Sequence, residues 1–314
     1  MSDGLGSTFS GEVPQTRSAL LISPAGPIKE EVLDRGLQSA HELGVPIDWP
    51  EGWRENVLHS DGFFAGTDLQ RSRWLQEALD APHEDLWMSR GGYGCIRTLQ
   101  ASKAVDGVLS GERRSTLWGF SDGTALLTAW DRRGWPAWHA PPISQIPRLD
   151  DLSRASLELA WKTGQVAPIL ELETQVSGRA RGPIAGGNLA VLTSLVGTPW
   201  VADLRDRIVL LEDVGEAPYA IDRMLTQLIL SGAFEGTLGF IIGQFTGLSD
   251  RSRAEAHRVI CERLVPLGLP MVTGLPVGHE HQNLPLPFGA GSKLLAVLEA
   301  SADGGGIIQF EPNS

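Results

Sequence analysis

The chain has 314 residues, 42% of them apolar and 20% charged, enough for one large or two medium domains around an ordinary core. Its net charge of −12 excludes the basic footprint of a nucleic-acid binder, so an anionic substrate must be met by local cations. Cys95 and Cys261 make no disulfide framework, no secretory signal is visible, and no apolar run reaches the roughly 18 residues that span a membrane, so the expectation is a cytoplasmic protein without a membrane partner.

In chain order, residues 1–17 read as a flexible, polar tail. Ser18 to Ser23 ("SALLIS") reads as a buried strand closed by "PAGP". Pro27 suits the first turn of a helix whose inner face is Ile28, Val32, Leu33, Leu37, Ala40 and Leu43, with Gly44 as its stop. Thr67 and Gln70 have the spacing of a capping box, and Trp74, Leu75, Ala78 and Leu79 follow as an apolar stripe. Glu84 to Ser89 is a short strand running into "RGGYG"; Ser115 to Phe120 is another, followed by the helix "TALLTAW". Strands alternating with helices predict a mostly parallel sheet, an N-terminal α/β domain over 18–140.

The stretch from Asp131 to Ile184 is rich in Trp and Pro, with a helical segment around Leu157 to Trp161. It reads as the connection between domains, bounded at 141–183. Packing or a dimer contact is as good a reading of the tryptophans at 130–138 as substrate contact. A second domain over 184–314 then offers the strand "RIVLLEDV" and a helix with Ile221, Met224, Leu225 and Leu228 on one face. The strand "TLGFIIGQF", a helix to Leu264, the strand "PMVTGL" and a closing hairpin made of "SKLLAVLEA" and "GIIQFEP" complete it.

Three places carry chemistry. Gly119-Phe120-Ser121-Asp122-Gly123 fits G-x-S-x-G between a strand and a helix, the form of a nucleophile elbow; the plain alternative is that Ser121 or Asp122 caps the helix. A serine needs a base and the base a carboxylate. Of the seven histidines, His41, His59, His83 and His257 read as solvated side chains and His139 lies in the Trp-rich connection. His279 and His281 sit in "LPVGHEHQN", a loop just past a strand end, where catalytic groups gather; two histidines without further ligands do not make a metal site. Glu212 and Asp213 end an apolar strand, and Glu216 precedes a helix. A charge at the end of a buried strand is costly unless paired or used. Solvent exposure of Asp213 and helix capping by Glu216 are the plain alternatives; Glu212 has none as good. "SRGGYGC" lets backbone N–H groups approach a ligand, but it is neither a Walker loop nor a dinucleotide fingerprint, and it implies no nucleotide cofactor. Arg90 and Arg97 could meet a carboxylate there, and Cys95 reads as a small buried residue.

The blocks "ISPAGP", "FFAGTDLQR", "SRGGYGCIRTL", "GFSDGTALL", "GGNLAVLTSLVGTPW", "LLEDVGEAPYAIDRML", "FIIGQFTG" and "GLPVGHEHQNLPLPFGA" stand in one order from Leu20 to Ala290. Together they resemble the LD-carboxypeptidase family of serine peptidases, which includes the microcin-immunity peptidases. The resemblance implies a triad of Ser121, Glu212 and His279, with an oxyanion hole from the N–H groups of Gly92 and Asp122. It implies a Rossmann-like N-terminal domain, a swivelling β/α C-terminal domain, an active site in the groove between them, and a homodimer. Housekeeping members release a terminal D-alanine from the diamino acid of muropeptides during cell-wall recycling in the cytoplasm, with no metal or cofactor. Arg90 is the candidate for the terminal carboxylate, and Tyr93 and Glu216 are further candidate substrate contacts. The chain departs from the family where "WHAPP" (Trp138 to Pro142) stands in place of the frequent "HGP", which bears on substrate choice. Amide cleavage of a peptide-nucleotide antibiotic or an aminoacyl conjugate is the runner-up within the family. Outside it, an α/β-hydrolase esterase would need an HGGG-like segment, which the chain lacks, and a non-catalytic muropeptide binder would not need all three triad residues.

Overall fold

A computed structural model describes residues 17–58, 62–102 and 114–313. The expected tail up to residue 16, and His59, lie outside the described residues.

The first sheet is built from short runs that are apolar on both faces, the pattern of parallel strands covered on both sides. Its parallel members are β1 (Ala19–Ile22), β2 (Ile47–Asp48), β3 (Asp85–Met88), β4 (Thr116–Gly119) and β5 (Ala137–His139). They lie in the order β5-β4-β3-β1-β2. The helices between them are α1 (Glu30–Glu42), α2 (Trp53–Leu58), α3 (Asp68–Asp80), α4 (Cys95–Ala101) and α5 (Thr124–Arg132). The capping box of α3 forms: Gln70 N donates to Thr67 Oγ1 at 3.3 Å and Thr67 N to Gln70 Oε1 at 2.8 Å. Helix α1 begins at Glu30, with Lys29 as its extended N-cap, and not at Pro27, whose carbonyl accepts from Arg90 Nη1.

The Trp-rich stretch is packing. Trp87, Trp118 and Trp138 occupy matching register positions on β3, β4 and β5 and stack at 4.8 and 5.0 Å between ring centroids. Trp130 is fully buried, and its indole N–H donates to the Ser115 carbonyl.

The span read as a connection over 141–183 contains more structure than its composition indicates. Helix α6 (Asp151–Thr163) closes over the first sheet, and β6 (Ile169–Val176) and β7 (Gly178–Gly182) already belong to the second. Their partners lie far along the chain. Those partners are β11 (Met271–Thr273) and the hairpin strands β13 (Leu294–Ala300) and β14 (Gly305–Pro312), and β8 (Ile184–Asn188), β9 (Ile208–Val214) and β10 (Gly239–Thr246) complete the sheet. The eight strands run β7-β13-β14-β6-β11-β10-β9-β8, with β8 to β11 parallel. Helices α7 (Leu189–Ser194), α8 (Pro218–Leu230) and α9 (Asp250–Leu264) connect them. One strand crosses back: β12 (Leu286–Phe288) pairs antiparallel with β5 at the edge of the first sheet. A single apolar cluster runs from Leu126 and Trp130 on α5 to Leu189 and Leu192 on α7, so the two sheets share a continuous core. Among the described residues no helix is long and apolar enough to cross a membrane.

Candidate active site

Both sheets send the C-terminal ends of their central parallel strands toward one place, where open α/β sheets gather ligands and reactive groups. β4 ends at Gly119, and a single 3-10 turn, Ser121–Gly123, leads into α5. Ser121 has φ 63, a left-handed conformation that costs a non-glycine residue about 1 kcal/mol or more. The two glycines of the motif are there for a neighbour: a Cβ at Gly119 would overlap Met88 Sδ, and one at Gly123 would stand 2.6 Å from the same sulfur. Gly91 of "RGGYG" lies against the serine itself; a Cβ there would stand 3.0 Å from Ser121 Oγ. The turn therefore presses Ser121 outward, half-buried, beside the 91–92 peptide.

His279 arrives from the second half. Its Nε2 is 2.9 Å from Ser121 Oγ, and its Nδ1 is 2.9 Å from Glu212 Oε2. The second approach is within ion-pair range but off the line of a formed N–H···O hydrogen bond, so small ring or carboxylate rotation completes it. We assign the tautomer with Nδ1–H toward Glu212, which leaves Nε2 as the acceptor facing the Ser121 hydroxyl. Glu212 sits near the end of β9, wholly enclosed, while the imidazole keeps 18% of its surface.

The loop that carries His279 is moored on two sides. β10 holds it through Gln244 N donating to the Val277 carbonyl at 2.9 Å. The segment after β5 holds it through Gln145, whose amide donates to the carbonyls of Gly278 at 3.0 Å and Glu280 at 3.1 Å. Asn283 Nδ2 in turn donates to Gln145 Oε1, and His281 Nδ1 lies 2.7 Å from the Arg148 carbonyl. Sequence reasoning missed Gln145 and Asn283: a buried amide 138 positions from its partner leaves no local signal.

The remaining candidates sort by environment. Asp122 is buried, and its Oδ2 accepts from Cys95 N at the start of α4 at 2.8 Å. It thus serves a different helix from the one it precedes, and burial holds its carboxyl above the usual range. Among the described residues, no acceptor takes the Asp122 or Gly92 N–H. Asp213 is buried and not solvent-exposed; it accepts from Asn188 Nδ2, Ala190 N and Val214 N, all within 2.9 Å. Burial first, then the neighbouring Glu212 charge, lifts its pKa to about 6. Glu216 is half-buried and caps nothing, since α8 starts behind Ala217 without a side-chain cap. Arg90 is exposed and tied to the Pro27 carbonyl, and Tyr93 is 49% exposed with its ring against Phe64. Cys95 is fully buried, and burial pushes its thiol well above the usual value. His83, expected in solvent, is buried, with Nε2 2.9 Å from Asp48 Oδ2. His139 is also enclosed, at the end of β5. Among the described residues no three His, Cys, Asp or Glu side chains are grouped to hold a metal.

Residues 20–140 match the model of the LD-carboxypeptidase N-terminal domain, and residues 181–294 match that of its C-terminal domain. The chain belongs to the LD-carboxypeptidase family. It is 30% identical to a probable murein peptide carboxypeptidase of Bacillus subtilis, covering 91% of this chain and 93% of the relative. It is 33% identical to a murein tetrapeptide carboxypeptidase of Pseudomonas aeruginosa, covering 90% and 92%. The crystal structure of a muramoyltetrapeptide carboxypeptidase from Oxalobacter formigenes superposes with a TM-score of 0.77 at 25% identity, covering 94% of this chain and all of that one. This LD-carboxypeptidase family member is therefore a peptidase with the family's two-part α/β fold.

Proposed function

We propose that the protein is a serine L,D-carboxypeptidase that removes the terminal D-alanine from murein tetrapeptides, using Ser121 as nucleophile, His279 as base and Glu212 as its orienting acid. The observation that carries the reading is the chain of two 2.9 Å contacts from Ser121 Oγ through the imidazole to Glu212. His279 Nε2 takes the hydroxyl proton as Ser121 Oγ attacks the scissile carbonyl. Glu212 stabilises the imidazolium that forms. The N–H groups of Gly92 and Asp122 receive the oxyanion, a contribution of roughly 3 kcal/mol per donor in comparable sites. The imidazolium then protonates the leaving D-alanine nitrogen, and water, deprotonated by the same ring, releases the acyl group. Arg90, on the loop that touches Ser121, recognises the free terminal carboxylate; Tyr93 and Glu216 line the approach. The relatives named for murein peptides support the substrate class. Action on recycled fragments in the cytoplasm, by a homodimer, completes the reading and is checked by fractionation and light scattering.

Ser121→Ala is expected to abolish D-alanine release from a muropeptide tetrapeptide, read by mass spectrometry, with an unchanged circular dichroism spectrum. Full activity in that variant would falsify the serine mechanism. Arg90→Ala is expected to raise KM by about tenfold or more with a smaller change in kcat, the mark of lost ground-state binding.

A further inference from the structure

Two enclosed side chains near Ser121, Glu212 and His139, lack hydrogen bonds, and the charge of one acts on the other. Glu212 is wholly enclosed, and neither of its oxygens takes a hydrogen bond from the described residues. His139 is equally enclosed, with both ring nitrogens unmatched. A buried polar group left unsatisfied costs about 1–3 kcal/mol, so two in one place call for a common answer.

The strands bring them together. His139 ends β5, and its register partner on β4 is Gly119, the first residue of the nucleophile turn. The Phe120 ring packs against both imidazoles, 5.5 Å from that of His139 and 4.4 Å from that of His279. On the other flank runs β8. A Cβ at its Gly187 would stand 3.6 Å from His139 Cδ2, and the next residue, Asn188, pairs in register with Glu212. Gly186 and Gly187 thus take β8 past this place without side chains that would wall the histidine off from β9. The titratable groups facing His139 are Glu212 and His279. Burial, opposed by Glu212 and reinforced by His279, brings the His139 pKa down to about 4. A neutral ring matters here, because an imidazolium would pair with Glu212 and take it away from His279.

We propose that His139 is a positioning residue of the triad: its neutral ring donates an N–H toward the Glu212 carboxylate and holds the rotamer in which that carboxylate meets His279 Nδ1. The inference rests on the assignment of Ser121, His279 and Glu212 above. It gives the histidine of "WHAPP" a task in the chemistry, apart from substrate choice.

The test uses the full chain and a fluorophosphonate probe, which reports activation of Ser121 whatever the peptide substrate, together with D-alanine release. His139→Phe keeps the volume and the burial but removes the donor. The expected result is a fall in labelling rate and kcat of roughly tenfold to a hundredfold, the range that loss of a partner orienting a reactive side chain costs. KM stays within about twofold, and the melting temperature does not fall. His139→Gln, which restores an N–H donor, recovers most of the loss. Equal labelling of wild type and His139→Phe overturns the proposal, as does a loss that His139→Gln leaves untouched. Should His139→Phe fail to fold, nitrogen-15 spectra of the wild-type imidazoles decide. A neutral His139 with one slowly exchanging N–H between about pH 5 and 8, shifted in Glu212→Gln, is expected; a protonated ring or no response to Glu212→Gln overturns it. A wild-type protein that takes no label removes the serine reading itself, an outcome separate from failure of the His139 assignment.

Discussion

The conformation of Ser121 has an energetic signature of its own. At φ 63 any side chain is strained, so Ser121→Gly should be more stable than Ser121→Ala by about 1 kcal/mol, read by urea unfolding, although both lack the proposed nucleophile. The surrounding glycines separate folding from chemistry. Gly119→Ala drives a methyl into Met88 and should lower stability by about 1–3 kcal/mol, with partial recovery in the Met88→Ala background. Gly91→Ala pushes on Ser121 Oγ, so its kcat should fall by more than its melting temperature would account for. The hydroxyl between two glycines was legible in the sequence because elbow chemistry is local. The reason for those glycines was not, because Met88 comes from another strand. The loop of His279 was legible as a site past a strand end, though the choice between His279 and His281 came from the family resemblance; the burial of His83 and His139 was not legible, because a histidine carries no local mark of burial.

At the level of elements, Asp213 links a strand end to a helix start by accepting from Asn188 and from Ala190 N at the head of α7. Its pKa is about 6 in the folded chain against 3.8 for an ordinary carboxyl. The native state therefore holds the proton more tightly, and the stability this contributes is complete below about pH 4, declines as pH rises to about 6, and is absent above. His139 has the opposite sign: its pKa falls from 6.5 to about 4, so its contribution is present above about pH 6.5 and is lost as pH drops to about 4. The two slopes oppose each other in the wild type. Unfolding midpoints from pH 4 to 7 should therefore rise with pH in Asp213→Asn and fall with pH in His139→Phe. The alternating strands and helices of the first sheet were legible from apolar runs and glycine stops. The place of β6 and β7 in the second sheet was not, because their partners β11, β13 and β14 lie about a hundred residues on, and pairing at that distance leaves no periodicity.

The molecule as a whole is two sheets joined by one shared apolar cluster, with a further cluster on each sheet. Asp131, at the end of α5, is nearly buried; it pairs with Arg207 at 3.2 Å and accepts from Ala290 N at 2.6 Å, fastening the first half to the second. Asp131→Ala strands a mostly buried guanidinium and should cost about 3 kcal/mol, read as a lower urea midpoint for the whole chain. A fragment ending at residue 140 would lose β12 from the edge of β5 and should not give a cooperative transition. The double mooring of the His279 loop has a further meaning. Val277 is tied to the second sheet and Gly278 to Gln145 behind the first, on consecutive residues, with the imidazole next in line. The ordering entropy of that side chain is met once, when the chain folds. If His279 is the proton acceptor, as proposed, an arriving peptide meets it already aimed, and its binding energy is left free to strain the bond that breaks.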